Sequence, residues 1–194
     1  MKKTRKILIT NDDSINAPGL RPLAQWAQKL GEVTVIAPKY EQSGKSQSIE
    51  LHKPFEVKEV ELEPGLWAWV VDSTPADCVR FAIHGLHLTF DLCISGINRG
   101  FNMGTDILYS GTVSAACEAA LQNINSLAIS TSREYYGEAV NHIDQVLKFV
   151  YDNKLFDHNR LYNINIPKQA KEFMFHFTHQ IFLKIWTLFH KIKL

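Results

Sequence analysis

Ile7-Leu8-Ile9-Thr10-Asn11-Asp12-Asp13 is a short apolar run that stops on two adjacent carboxylates. Lys6–Thr10 reads as a buried strand. A strand ending on acidic residues puts them at a sheet edge, where parallel α/β sheets bind ligands outside the carboxyl ends of their strands. Neighbouring carboxylates repel, and each must be neutralised by a proton, a basic side chain or a metal. An all-oxygen choice favours a hard divalent cation such as Mg²⁺ or Mn²⁺ over zinc. A helix cap or a solvated turn would account for the same doublet without any ligand.

Working outward, Leu20, Leu23, Ala24, Ala27 and Leu30 are spaced as one face of a helix, with Gly31 where a helix C-terminal glycine belongs. Val33–Ala37, Asp91–Ser95, Leu127–Ser130 and Tyr162–Ile166 read as further buried strands. Ala76–Gly85, Val113–Gln122 and Glu138–Asn153 carry helical periodicity. This alternation predicts an α/β fold with a mainly parallel sheet and flanking helices. Ser48 to Val71 breaks the rhythm with period-two alternation around Pro64-Gly65, which predicts a β-hairpin excursion. No internal repeat or low-complexity linker interrupts the chain, so residues 1–194 are expected to form one domain, with 168–194 as an atypical C-terminal segment.

Composition narrows the function classes. The chain has 194 residues, 21% of them charged, and a net charge of +1, which gives no electrostatic case for a nucleic-acid backbone partner. Cys78, Cys93 and Cys117 are odd in number and widely spaced, as expected of reduced thiols in a cytoplasmic protein. No apolar stretch is long enough to span a bilayer, and the basic start lacks the apolar core of a signal peptide.

The longest chemistry-bearing stretch runs from Ser95 to Thr112, with Gly96, Gly100 and Gly104 recurring every four residues and Asn98 and Asn102 between them. Such glycines let backbone N–H groups approach an anion, and the amides add neutral donors. Ser110-Gly111-Thr112 sits where a helix N-terminus would offer unpaired N–H groups to a phosphate. The pattern is neither a Walker A loop, which needs Gly-Lys-Ser/Thr, nor the dinucleotide fingerprint, which should follow the first strand. Structural turns remain the alternative. Ser43 and Gly44, in the loop after the second strand, emerge on the same edge as Asp12 and Asp13. Ser43 is a weak hard-metal ligand or an ordinary turn residue.

Taken together, Asn11-Asp12-Asp13 with Ala17-Pro18-Gly19, Ala37-Pro38 with Gln42-Ser43-Gly44-Lys45-Ser46, Ser73-Thr74-Pro75-Ala76-Asp77-Cys78-Val79, and the run from Ser95 to Ala119 closely resemble the SurE family. The match holds in order and spacing from about Lys6 to Pro167. The resemblance implies a Rossmann-like fold and a metal-dependent hydrolase removing phosphate from nucleoside 5′- and 3′-monophosphates. It implies one Mg²⁺ or Mn²⁺ ion on Asp12, Asp13, Ser43 and Asn98, and phosphate held around Asn98, Asn102, Ser110, Gly111 and Thr112. Asp12 would orient or deprotonate the attacking water.

This chain departs from the family at Ser14 and Ser73, where glycine is usual. If position 14 needs a positive φ, Ser14 strains the turn by roughly 1 kcal/mol or more. Family members usually continue beyond Tyr162–Pro167 into an arm used for oligomer contacts, so the homo-oligomer that the resemblance implies is in question here. The stretch after Glu172 is instead aromatic and basic. Ile181, Phe182, Ile185, Leu188, Phe189 and Ile192 share a helical face, read as a helix packed on the core or a second subunit, a partner- or membrane-docking helix, or a frameshifted tail. Thr74 as N-cap, Pro75 and Asp77 make a good helix start, with a pocket role as the alternative. His84 with His87, and His176 with His179, have metal-compatible spacing, but a surface or packing role fits them better.

Overall fold

Ile7, Leu8 and Ile9 have no solvent exposure, so the first strand is covered on both faces, as strands in parallel sheets are. The computed structural model describes residues 4–132 and 135–168, together with the backbone of 175–179 and 186–190. The chain runs through β1 (Arg5–Thr10), α1 (Leu20–Ala27), β2 (Gly31–Pro38), β3 (Val57–Glu63) and β4 (Leu66–Val71). Then come α2 (Pro75–Arg80), which continues into a π-helical turn at Phe81–Gly85, β5 (Leu92–Arg99), α3 (Asp106–Tyr109) and α4 (Gly111–Leu121). The remainder is β6 (Asn125–Thr131), α5 (Tyr136–Asp152), a 3₁₀ turn at Leu155–Asp157, β7 (Leu161–Ile166), β8 (Phe175–His179) and β9 (Trp186–His190).

Among the described residues the strands form one sheet in the order β3-β4-β2-β1-β5-β6-β7-β9-β8. β1 pairs in parallel with both β2 and β5. From β1 the chain moves through α1 to β2 on one side, and later returns through α2 to β5 on the other. The carboxyl ends of β1 and β5 therefore flank a topological switch point, where open α/β sheets form a crevice. α1 and α5 cover one face of the sheet, fastened by Trp26 Nε1 donating to Asp144 Oδ1 at 3.0 Å. α2 and α4 cover the other, packed over Leu8, Ile36 and Cys93.

The hairpin predicted within Ser48–Val71 forms as β3 and β4, turning at Gly65 with φ +79°. Its second strand also pairs in parallel with β2, so the hairpin extends the sheet rather than leaving it. Thr74 caps α2 by accepting the Asp77 N–H at 3.1 Å. The Asp77 carboxylate in turn accepts the Glu50 N–H at 2.9 Å and the Ser73 hydroxyl at 2.5 Å, tying the chain ahead of the hairpin to this cap. His84 lies in the π-helical turn and His87 beyond it at φ +54°, both exposed, so the pair shares no helical face and keeps the surface role.

Two sequence expectations are corrected. Gly31 does not close α1: the helix ends at Ala27, and Gly31 opens β2 opposite Arg5. A Cβ at position 31 would stand 2.1 Å from the Arg5 carbonyl oxygen, so a close strand approach is what requires glycine there. The helical face read across Ile181–Ile192 is not a continuous helix, because Trp186–His190 is β9, parallel to β7 and antiparallel to β8. The open edge of β7 supplies hydrogen-bond partners, and aromatic residues with threonine suit a strand better than a helix. Side chains beyond Lys168, His176 and His179 included, lie outside the described residues.

Gly31→Ala is expected to lower the urea midpoint with m unchanged, by about 1–3 kcal/mol of stability, as overpacking does. Gly137 in α5 has open space around its would-be Cβ, and Gly137→Ala should instead stabilise by up to about 1 kcal/mol. Equal effects of the two substitutions would contradict the strand-contact account.

Candidate active site

The loops leaving β1, β2 and β5 are tied together at the switch point. Gln42 donates its N–H to the Asp12 carbonyl at 2.8 Å, and Ile15 donates to the Pro38 carbonyl at 2.8 Å. The Arg99 N–H reaches Asp13 Oδ2 at 3.0 Å. Farther along the β2 loop, the Ser46 N–H donates to the Tyr109 carbonyl at 3.0 Å, joining that loop to α3. The convergence read from the sequence thus has a hydrogen-bonded basis.

Asp12 is the centre of this arrangement. Its side chain is 3% exposed and sits against the first turn of α4. The Thr112 hydroxyl donates to Asp12 Oδ1 at 2.5 Å, and the Thr112 backbone N–H also bonds to Asp12. A Cβ on Gly111 would stand 2.7 Å from Asp12 Cβ and 3.0 Å from Oδ2, so only glycine lets the carboxylate press this closely onto the helix end. Burial pushes the Asp12 carboxyl up to about 6, and the Asp13 charge adds to the rise. The Thr112 hydrogen bonds oppose it but do not cancel it. Burial also raises Asp13, against its hydrogen bond from Arg99, while the charge of Glu41 pushes the same way as burial.

Asp12, Ser43 and Asn98 line one cleft of about 250 Å³, together with Arg99, Asn102 and Ser110. Asn98 gives its Nδ2 to the Gly100 carbonyl at 2.8 Å, which leaves Oδ1 as the end of the amide suited to a cation. Ser43 donates its hydroxyl proton to Glu41 Oε1 at 2.8 Å and keeps oxygen lone pairs. Asp13 is not among the cleft-lining residues, and its Oδ2 accepts the Arg99 N–H. The Asp12 carboxylate, the Ser43 hydroxyl and the Asn98 amide oxygen are hard oxygen donors of the kind that suit Mg²⁺ or Mn²⁺, and Asp13 would have to turn from Arg99 to join them. No group of three or more His, Cys, Asp or Glu among the described residues is placed to hold a metal.

The residues read as phosphate ligands divide by geometry. Ser110 caps α4, its Oγ accepting the Val113 N–H at 3.1 Å, and its side chain borders the cleft. Gly111 and Thr112 press on Asp12 rather than lining the cleft, and Thr112 commits both its donors to that carboxylate. Asn102 borders the cleft, but its backbone is fully engaged. Its N–H goes to Asn165 Oδ1 at 2.9 Å, and its carbonyl accepts from Asn163 Nδ2 at 2.8 Å and Asn165 Nδ2 at 3.0 Å. Its side-chain Nδ2 reaches Ser130 Oγ at 2.9 Å.

Several site residues were missed from sequence. Arg99 brings the guanidinium at the cleft, and its place inside the glycine-rich run was the available signal. Asp106 and the exposed Tyr109 border the cleft as well. Asn163 and Asn165 share one face of β7 by strand alternation, and two amides on an otherwise apolar strand were a readable sign of a buried polar anchor. Ser14 takes φ +87°, the positive value its family position implied, with Asn11 Nδ2 donating to its carbonyl at 2.8 Å.

Comparison with known proteins follows the same residues. The family profile of survival protein SurE matches residues 7–185. The chain is 42% identical over 174 residues to the 5′-nucleotidase SurE of Clostridium botulinum (strain Alaska E43 / Type E3), covering 86% of this chain and 68% of the relative. It is 46% identical over 169 residues to the 5′-nucleotidase SurE of Clostridium beijerinckii, covering 83% and 66%. The crystal structure of the SurE protein from Aquifex aeolicus superposes with a TM-score of 0.71 at 28% identity, over 97% of this chain and 82% of that one. The matches span about two thirds of the curated relatives' length. With its α/β sheet, its crevice at β1 and β5, and a match along nearly its whole length, this chain belongs to the SurE family.

Proposed function

We propose that this chain is a divalent-metal-dependent phosphomonoesterase acting on nucleoside 5′- and 3′-monophosphates, with Mg²⁺ or Mn²⁺ as its cofactor. The observation that carries the reading is the buried Asp12 carboxylate, gripped by Thr112 and facing a cleft that Ser43 and Asn98 share. The relatives' name, 5′-nucleotidase, supports the substrate class. The free cysteines suit a reducing compartment, the cytoplasm.

Asp12, Asp13, Ser43 and Asn98 would hold the ion, which when bound polarises a phosphate oxygen and acidifies water. Asp12 orients the attacking water and takes its proton, held in place by Thr112 and Gly111. Asn98, Asn102 and Ser110, which border the cleft, position the phosphate oxygens as charge shifts during in-line transfer. Arg99 adds a positive group at the cleft wall.

A phosphate-release panel of nucleoside 5′- and 3′-monophosphates with Mg²⁺, Mn²⁺ or chelator tests the reading. Release is expected with either metal and not with chelator, and Asp12→Asn should lower kcat/KM by about 10³-fold or more. Near-normal turnover by that variant would overturn the role of Asp12. Nucleotide binding by the wild type without release would mark a binding module instead.

Asp12 also sets a pH dependence in the metal-free protein. Its folded-state pKa of about 6 lies above the ordinary 3.8, so the folded chain binds the extra proton between these values. The stability it contributes is fully present below the ordinary value and is lost as pH rises through 6. With chelator present, the wild type should therefore match Asp12→Asn near pH 4 and fall below it by about 3 kcal/mol at pH 7.5. Urea denaturation of both proteins across that range measures the difference, and saturating Mn²⁺ should reverse it. A pH-independent difference would contradict the buried-carboxylate account.

A further inference from the structure

The loop after β2 borders two separate spaces. Ser43 and Gly44, the tip of a turn closed by the Lys45 N–H donating to the Gln42 carbonyl at 3.2 Å, line the cleft beside Asp12. Gln42 and Lys45, the two ends of that turn, line a larger cavity of about 440 Å³, which shares no residue with the cleft. Its opposite wall is drawn from the segment between Ser48 and Phe55 and from the start of α2. That wall is tied to the α2 cap: the Thr74 hydroxyl donates to the Ser48 carbonyl at 2.7 Å, and the Glu50 N–H donates to the buried Asp77 at 2.9 Å. Two lysines and two acids line the cavity, so its charges balance in number but not in commitment. Asp72 Oδ2 takes the Lys39 ammonium at 2.9 Å, and Glu50 Oε1 accepts the N–H groups of His52 at 2.8 Å and Lys53 at 3.2 Å. The ammonium groups of Lys45 and Lys53 have neither a hydrogen bond nor an ion pair among the described residues. Cations on a concave wall focus their field into the space it encloses. Ile49, Pro54 and Phe55 add apolar surface beside them.

We propose that this cavity is an effector site, separate from the cleft, for a small organic molecule carrying a phosphoryl group, and that its occupancy bears on the metal site through the Gln42–Lys45 turn. Two ammonium groups with all their donors uncommitted suit the charge and several acceptor oxygens of a phosphoryl head. Ile49, Pro54 and Phe55 suit an apolar body attached to it. The volume lies within the roughly 300–1,000 Å³ of pockets that take a whole small ligand. A ligand held by Lys45 and the Gln42 amide fixes both ends of the turn whose tip presents Ser43 to the cleft. Gln42 also donates its N–H to the Asp12 carbonyl at 2.8 Å, so the turn meets the metal site at a second point. Such coupling is reciprocal: a ligand that tightens binding of the ion is itself bound more tightly when the ion is present. The binding site stands apart from the phosphomonoesterase reading, and only the coupling rests on the ion which that reading assigns to Ser43.

Calorimetric titration of the full-length protein in chelator with phenylphosphonate, whose C–P bond a phosphomonoesterase does not cleave, reads the site without metal or turnover. Lys45 and Lys53 are exposed, so a variant carrying both Lys45→Gln and Lys53→Gln is expected to keep the wild-type circular dichroism. That double variant should bind the probe about tenfold more weakly or worse, while Asn98→Ala, altered in the cleft, should bind it as the wild type does. Benzyl alcohol, which keeps the ring and lacks the charge, should not bind. Equal affinity of the wild type and the double variant overturns the site. So does a loss confined to Asn98→Ala, or binding of benzyl alcohol as tight as that of the probe. For the coupling, saturating phenylphosphonate should tighten Mn²⁺ binding about threefold more in the wild type than in the double variant. Any contact of the probe with the ion in the cleft is common to both proteins, and equal tightening overturns the coupling. If the wild type releases phosphate from no nucleotide, the phosphomonoesterase reading fails, while the titration in chelator still decides the site.

Discussion

The site is organised around one constraint: a carboxylate with almost no solvent exposure must sit at the end of a central strand. Asp12 follows β1, whose own residues are fully buried, so the chain has no route by which the side chain could turn outward without breaking the pairing with β2 and β5. The fold answers with the N-terminus of α4. Thr112 donates to the carboxylate, and Gly111 lets the helix end approach to contact distance. A helix N-terminus carries partial positive charge and orphan N–H groups, which favour an anion placed against it. α4 is itself buried nearly all round, from Gly111 through Ala119, and its small residues let it lie close to the sheet. Its one buried acid, Glu118, pairs with Arg80 at 3.3 Å.

This arrangement explains which parts of the molecule were legible beforehand. Strands such as β1, β2 and β6 are apolar runs bounded by turn residues, and a period-two or continuous apolar signal survives without tertiary information. The helix start at Thr74-Pro75 is equally local, because capping depends on neighbours three residues apart. Gly31 shows the opposite case. Its requirement comes from the Arg5 carbonyl in another strand, and no local pattern separates that from a helix-ending glycine. β9 failed for a related reason, since its partner is the open edge of β7 and the 3.6-residue spacing of its apolar residues pointed to a helix.

The same distinction applies within the site. That Asp12, Ser43 and Asn98 would share a cleft was legible because Asp12 and Ser43 follow recognisable strands, Asn98 ends another, and each carries an oxygen donor. Thr112 was found for a different reason than the one its position serves: it sits at a helix N-terminus, yet its donors are turned to a side chain 100 residues earlier. The asparagines of β7 show how deep the support extends. Asn163 and Asn165 together hold both backbone groups of Asn102, although Asn102 lies in a loop that glycines on either side make pliable. A cleft residue carried by such a loop keeps a fixed position only if its own peptide groups are tied to something rigid. A buried central strand is the most rigid neighbour available.

The turn between β1 and α1 carries two costs at once. Ser14 holds φ +87° without being glycine, and Asp12 is buried as a carboxylate whose ordinary charge is disfavoured there. Each opposes folding of the empty chain, by roughly 1 kcal/mol or more for the backbone and by a larger amount for the charge at neutral pH. Both are confined to the segment that faces the cleft, while the flanking strand and helix are conventionally packed. A divalent ion held by the proposed ligands would remove the larger cost, because no cationic side chain offsets the burial of Asp12 itself. Anything bound only by the folded state adds to stability through its own binding free energy. In this reading the doublet at the end of β1 makes the folded chain depend on the ion that its proposed chemistry requires.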